Sequence, residues 1–138
     1  MNYLSDTCAL SEFLNKKPDP KVIEWFEKQI EDALFVSVLT IGEINKGIVK
    51  LPASKRKTEL ETWLKSILFR YDKRILPISL SIATRWGRLL GELEPKGRVL
   101  PIIDSLIAAT ALEHDLTIIT RNESDFADTG VKILNIWE

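Results

Sequence analysis

The stretch Pro101–Phe126, PIIDSLIAATALEHDLTIITRNESDF, contains the signals that decide the fold. Its first half, Ile102 to His114, is apolar nearly all round, which predicts a buried helix. The run LTIIT, Leu116 to Thr120, follows almost at once. A short and continuous apolar run of this kind is typical of a strand in a parallel sheet that is covered on both faces. A buried helix leading directly into a buried strand predicts an α/β protein.

The same alternation of strands and helices extends over the rest of the chain. Further strands are predicted at Asn2–Ser5, Leu34–Val38, Ile75–Ile78 and Val131–Leu134. Further helices are predicted at Ala9–Leu14, from Pro20 to Ile30, from an N-cap at Thr40 to Lys50, from Leu60 to Tyr71, and from Ser79 or Ser81 to Leu93. We therefore expect a three-layer α/β/α sandwich with a short parallel sheet, formed by one domain over residues 1–138.

Composition limits the classes of function. The chain has 138 residues, a net charge of −1 and one cysteine, so no intramolecular disulfide is possible, which fits a reducing cytoplasm. No apolar run approaches the roughly 20 residues that span a bilayer, and we expect no membrane contact. Nothing in the overall charge attracts nucleic acid, so any such contact must come from a local basic patch or from a bound metal.

Four acidic residues lie at the ends of predicted elements. Asp6 follows the first strand, Glu43 follows Thr40 at the capping-box spacing, Asp104 opens the apolar helix, and Asp125 follows the late strand. Each has a simpler explanation as a cap, a first-turn acid or a turn residue. In parallel sheets, however, ligands bind beyond the carboxyl ends of the strands, where these residues are expected.

Convergent carboxylates would repel one another unless a cation lay between them. A hard divalent ion such as Mg²⁺ takes oxygen ligands and leaves room for water and a phosphate, so the pattern favours a metal-dependent phosphodiesterase. We assign Asp6 and Asp104 as direct ligands and Glu43 as a ligand or as the residue that orients the water. The outer shell is assigned to Asp125 together with Asn122 and Thr120.

Basic residues are candidates for contact with phosphate. Their predicted helices or loops approach the acidic edge of the sheet, and they are Lys46, Lys50, Arg85, Arg88 and Arg121. The basic run Lys55–Lys57 is read as a solvated face.

Two alternative functions remain open from the residues alone. One is a phosphatase of the haloacid-dehalogenase type with Asp6 as nucleophile, although that chemistry usually requires an Asp two positions later, where this chain has Cys8. The other is a binding module without catalysis, in which the acids only cap helices.

Three blocks of this sequence resemble the motifs of PIN domains of the VapC/FitB type. They are YLSDTCALSEF, SVLTIGEINKGI and PIIDSLIAATALEHDLTIITRNESDF, in chain order. The resemblance implies an endoribonuclease dependent on Mg²⁺ or Mn²⁺, the toxin of a type II toxin–antitoxin pair. It also implies a homodimer, a small cognate antitoxin as partner, and a toxin–antitoxin complex that binds operator DNA.

By the same resemblance, the acids of the family correspond to Asp6, Glu43 and Asp104. The fourth acidic position stays open between Asn122 and Asp125. Cys8 occupies a position where the family commonly has Asn, so a polar contact near the metal is in doubt.

Overall fold

The centre of the fold is a five-stranded parallel sheet with strand order β3-β2-β1-β4-β5. The structure, a computed structural model, describes residues 1–138. The strands are β1 (Tyr3–Ser5), β2 (Leu34–Ser37), β3 (Ile75–Leu76), β4 (Thr117–Ile119) and β5 (Ile133–Leu134). The helices are α1 (Thr7–Ser11), α2 (Pro20–Lys28), α3 (Val38–Val49), α4 (Lys55–Tyr71), α5 (Leu80–Leu93) and α6 (Ile102–His114).

A hydrophobic core lies on each face of the sheet. Neighbouring residues of a strand point to opposite faces, and Ile118 and Ile119 of β4 accordingly belong to different cores. The core that contains Ile119 is covered by α1 to α4, and the core that contains Ile118 is covered mainly by α6, with Leu89 of α5 packed against it. This arrangement confirms the predicted three-layer α/β/α sandwich.

The strand order reverses beside β1. From β1 the sheet extends through β2 to β3 on one side, and the later strands β4 and β5 are added on the other side. Ser5, the last residue of β1, is aligned with Val36 of β2 and Ile119 of β4. A point of reversal in a parallel sheet leaves a crevice at the carboxyl ends of the strands, and this is where such folds bind ligands.

Helix α6 is as buried as its sequence predicts. Ile107, Ala108 and Ala111 are completely inaccessible and pack in the same core as Leu4 and Ile118 of the sheet. The start of α6 is fixed by a polar contact, because the indole nitrogen of Trp86 donates to the Ser105 hydroxyl over 2.8 Å. The first turn of α6 therefore holds a defined position against α5.

The prediction that Thr40 caps the next helix is wrong. Helix α3 follows β2 without a loop, and its N-cap is Ser37, whose hydroxyl accepts the Leu39 N–H over 3.1 Å. Thr40 lies inside the helix and is fully buried. Glu43 consequently belongs to the second turn and is not half of a capping box, so its carboxylate needs another explanation.

Other boundaries differ by a few residues. The first helix begins at Thr7 because Asp6 caps it directly after β1. After Ser11 it continues as a 3-10 turn, Glu12–Leu14. Strand β3 ends before Pro77, which has no N–H to donate to a neighbouring strand. Ser79, and not Ser81, caps α5. No helix combines the length and the apolar character that a membrane crossing requires.

We predict that Ser37→Ala lowers the free energy of unfolding by about 1 kcal/mol, because the first turn of α3 loses the acceptor for the Leu39 N–H. Urea unfolding followed by circular dichroism measures the loss. Ser66→Ala is the matched control, since the Ser66 hydroxyl is exposed and only donates to a carbonyl within α4. An equal loss in both variants would argue against Ser37 as the cap.

Candidate active site

Asp6 lies at the carboxyl end of β1, beside the point where the strand order reverses. Its backbone N–H donates to the Ile119 carbonyl over 3.1 Å, which extends the pairing of β1 with β4 by one residue. Its carboxylate accepts the Ala9 N–H over 2.7 Å and the hydroxyl proton of Thr120. Asp6 caps α1, which confirms the simpler explanation given for it from the sequence. It is also only 3% exposed and has the carboxylates of Glu43 and Asp125 as neighbours, which a simple cap does not require.

Glu43 faces Asp6 from the second turn of α3. Its carboxylate accepts the Thr7 hydroxyl proton over 2.5 Å, and the Thr7 oxygen lies 3.3 Å from that of Thr40. No role is predicted for Thr7 from the sequence, although its position directly after Asp6 and the strand end could have indicated one. The side chain links the first turn of α1 to α3 and sets the direction of the Glu43 carboxylate.

Asp104 and Asp125 form the opposite side of the pocket. Asp104 is the third residue of α6 and is partly buried, and Asp125 lies in a 3-10 turn, Glu123–Phe126, that follows β4. Asp125 is the charged neighbour that acts most strongly on the Asp104 carboxyl group. The structure therefore brings all four predicted acids together, since Asp104 also lies within the electrostatic influence of Asp6 and Glu43.

The outer-shell candidates differ in what they contribute. Thr120 is fully buried and connects two parts of the site, because its hydroxyl accepts the Asn122 N–H over 3.0 Å and donates to Asp6. The Asn122 side chain is exposed and makes no hydrogen bond, so its link to the site is through the backbone. Of the two residues considered for the fourth acidic position, Asp125 is the one whose carboxyl group enters the cluster.

Burial and repulsion raise the pKa values of two of the acids. Removal from water raises the pKa of Asp6 from 3.8 to about 6, with smaller contributions from the charges of Glu43 and Asp125, against the lowering effect of the Thr120 and Ala9 hydrogen bonds. The pKa of Asp104 also rises to about 6, chiefly through burial and then through the charges of Asp125, Asp6 and Glu43. The charged neighbours that act most strongly on the two carboxyl groups are all acids, so the pocket concentrates negative charge.

The donor set suits a hard divalent ion. The groups that converge are carboxylate and hydroxyl oxygens, and the nearby Cys8 thiol has a raised pKa through burial and the charge of Asp6, which keeps it protonated. No three His, Cys, Asp or Glu side chains are placed so that together they could hold a metal ion. Mg²⁺ does not require such a cage, because it usually binds through one or two carboxylates and keeps several waters.

Comparison with known proteins identifies the class to which this parallel sheet and acidic pocket belong. The model of the PIN domain matches residues 3–132. The VapC ribonuclease Y4jK of Sinorhizobium fredii is 33% identical over 134 residues, which is 96% of each chain. Toxin FitB of Neisseria gonorrhoeae is 32% identical over 97% of each chain. The chain therefore belongs to the PIN-domain family, as its three motifs indicate.

Solved structures share the whole architecture. The crystal structure of FitAcB from Neisseria gonorrhoeae matches with a TM-score of 0.93 and 31% identity, over 99% of each chain. The crystal structure of VapBC2 from Rickettsia felis, bound to a DNA fragment from its promoter, matches with a TM-score of 0.81 and 27% identity, over 98% of each chain. Neither the phosphatase nor the non-catalytic module considered as alternatives receives support from these relatives.

We predict that Asp6→Asn becomes more stable relative to the wild type as the pH rises from about 4 to about 7 in EDTA. A folded-state pKa near 6 means that folded Asp6 binds more protons than the unfolded chain, so its contribution to stability is present below pH 3.8 and is lost as the pH passes 6. The change should reach at most about 3 kcal/mol in urea unfolding.

Asp32→Asn, at an exposed acid on the surface, should show no such trend against the wild type. If the difference between Asp6→Asn and the wild type stayed constant over this pH range, Asp6 would not carry a raised pKa.

Proposed function

We propose that this protein is a metal-dependent endoribonuclease that hydrolyses RNA phosphodiester bonds and acts as the toxin of a type II toxin–antitoxin pair. The observation that carries the proposal is the convergence of four carboxyl groups at the switch point of a PIN-domain sheet. The ribonuclease and toxin relatives, which match over nearly their whole length, support it.

We assign the metal to the acidic pocket. Asp6 and Asp104 are the proposed direct ligands, and Glu43 either ligates the ion or orients its water. Asp125, Thr120 and Asn122 support this set from outside. A bound Mg²⁺ or Mn²⁺ would offset charge on the phosphodiester and lower the pKa of the attacking water.

The side chains around the metal position have separate tasks. The Thr7 hydroxyl fixes the Glu43 carboxylate, and the Ala9 N–H and the Thr120 hydroxyl fix that of Asp6. A cation held by Asp6 and Asp104 would offset the charges of the neighbouring acids and lower the raised pKa values of both carboxyl groups. Binding of the ion therefore releases protons, and activity should rise as the pH passes about 6.

The partners follow from the relatives. We propose that a small antitoxin binds this chain, that the complex recognises operator DNA, and that the toxin forms a homodimer in the cytoplasm. The match to VapBC2, solved on a fragment of its promoter, supports the first two proposals. Exposed apolar side chains such as Phe69, which is 87% exposed, offer surface for such contacts.

We predict that Asp6→Asn and Asp104→Asn each lower the rate of RNA cleavage by about a thousandfold or more, because each removes a charge that holds the metal. Both should also lose the rise in melting temperature that Mn²⁺ gives the wild type, since an ion that binds only the folded state stabilises it. Single-turnover cleavage and differential scanning fluorimetry measure the two effects.

Asp32→Asn is the control for both measurements, because it removes one exposed carboxylate outside the pocket. It should cleave RNA and respond to Mn²⁺ as the wild type does. Retention of full activity by both pocket variants would remove Asp6 and Asp104 from the mechanism.

We further predict that Thr7→Val lowers kcat by about ten- to a hundredfold, whereas Thr7→Ser stays close to the wild type. Valine keeps the shape of the side chain but cannot donate to Glu43, while serine keeps the hydroxyl. Cleavage rates at saturating Mn²⁺ separate the two variants. Equal activity of the valine and serine variants would show that the hydroxyl does not position Glu43.

A further inference from the structure

Seven basic residues gather at one corner of the molecule, where three element ends meet. The Arg56 guanidinium donates to the Leu14 carbonyl, which joins the start of α4 to the 3-10 turn after α1. The Lys57 ammonium donates to the Val49 and Leu51 carbonyls over 3.3 and 3.1 Å, which joins α4 to the end of α3. We name this surface the basic corner, and it consists of Lys16, Lys17, Lys46, Lys50, Lys55, Arg56 and Lys57.

The charge of the basic corner is not neutralised. The five ion pairs of the structure all involve other cations. Glu12 is buried and accepts the Asp19 N–H, and Asp19 caps α2. Glu59 and Glu61 on α4 are exposed and form no ion pair with the basic corner. Six of the seven cations are exposed. In a chain whose net charge is −1, such a concentration of free positive charge is local and pronounced.

Helix α3 connects the basic corner to the acidic pocket. Lys46 and Lys50 follow Glu43 by three and seven residues, so they lie on the same face of the helix. At a rise of about 1.5 Å per residue, Lys50 lies about 10 Å along the helix axis from Glu43. A strand that occupies the pocket and continues along this face passes Lys46 and Lys50 before it reaches Lys55.

We propose that the basic corner binds the phosphate backbone of the RNA strand on one side of the scissile bond. This inference rests on the proposed function, because it takes RNA as the occupant of the pocket. Free lysines act as mobile point charges that contact phosphates without reading bases, so they give affinity without sequence preference. An acidic protein would satisfy the same charges, but it would not explain why the cations continue the face that carries Glu43.

The test compares two variants that lose the same charge. Lys16, Lys17, Lys50 and Lys55 make no hydrogen bond with their side chains, so replacing all four by Gln leaves the contacts of Arg56 and Lys57 intact. The control replaces four exposed lysines outside the corner, Lys65, Lys73, Lys96 and Lys132, by Gln. Both variants have the same net charge, and circular dichroism and melting temperature check that both are folded.

The first readout is binding, measured in the Asp6→Asn background so that the RNA stays intact. The probes are fluorescein-labelled single-stranded RNAs of random sequence, of about 30 and about 4 nucleotides, titrated at several KCl concentrations. The corner variant should bind the long RNA at least about tenfold more weakly, with a salt slope smaller by about 0.7 for each phosphate that the lysines no longer neutralise. The short RNA and the control variant should change little.

The second readout is cleavage with Asp6 intact and Mn²⁺ present. For a long RNA, the corner variant should show a higher KM with kcat nearly unchanged, because backbone binding away from the metal contributes equally to ground and transition states. If the corner variant bound and cleaved long RNA like the control variant, or if the Asp6→Asn protein with an intact basic corner bound no RNA, the inference would be overturned. If the Asp6→Asn protein bound the RNA but the protein with Asp6 intact cleaved none, the proposed function would be wrong, and the proposed role of the basic corner in RNA binding would be retained.

Discussion

The parallel pairing of β1 between β2 and β4 is the constraint on which the site depends. It aligns Ser5 with Val36 and Ile119, so the residues that follow these strands, Asp6 and Thr120, must lie side by side. The hydrogen bond from the Asp6 N–H to the Ile119 carbonyl fixes this relation at the level of the backbone. A slip of β1 by one residue would exchange the two cores to which its side chains point and would move Asp6 away from Thr120 and the other acids.

The buried acids lower the stability of the folded protein when they are ionised. Carboxyl groups that share a pocket without a cation favour protonation, and the two raised pKa values express that cost. Under the proposed function, a divalent ion would take the place of the bound protons and would relieve the repulsion between the carboxylates. The polar contacts from Thr7, Ala9 and Thr120 reduce the cost by holding the carboxylates in fixed directions.

The periodic parts of this fold were predictable from sequence, and the local contacts were not. The apolar run of α6 and the short strand β4 follow from hydrophobic pattern alone, and so does the three-layer order. The predicted start of α3 is wrong because Thr40 and Glu43 match the spacing of a capping box, whereas the direct passage from β2 into the helix makes Ser37 the cap. Thr7 of α1 orients the Glu43 carboxylate of α3 through a hydrogen bond between the two helices. Spacing rules within one helix cannot reveal such a contact.

Although the net charge of the chain is only −1, its surface has an acidic pocket and a basic corner, and α3 connects the two. Glu43 on this helix belongs to the acidic pocket, and Lys50 on the same face belongs to the basic corner. Because an RNA strand would be repelled by the pocket until a metal is bound, attraction at a second place is needed to bring it near. Because α3 fixes the spacing between the two regions, RNA backbone bound at the basic corner would help to position the scissile phosphate in the proposed nuclease.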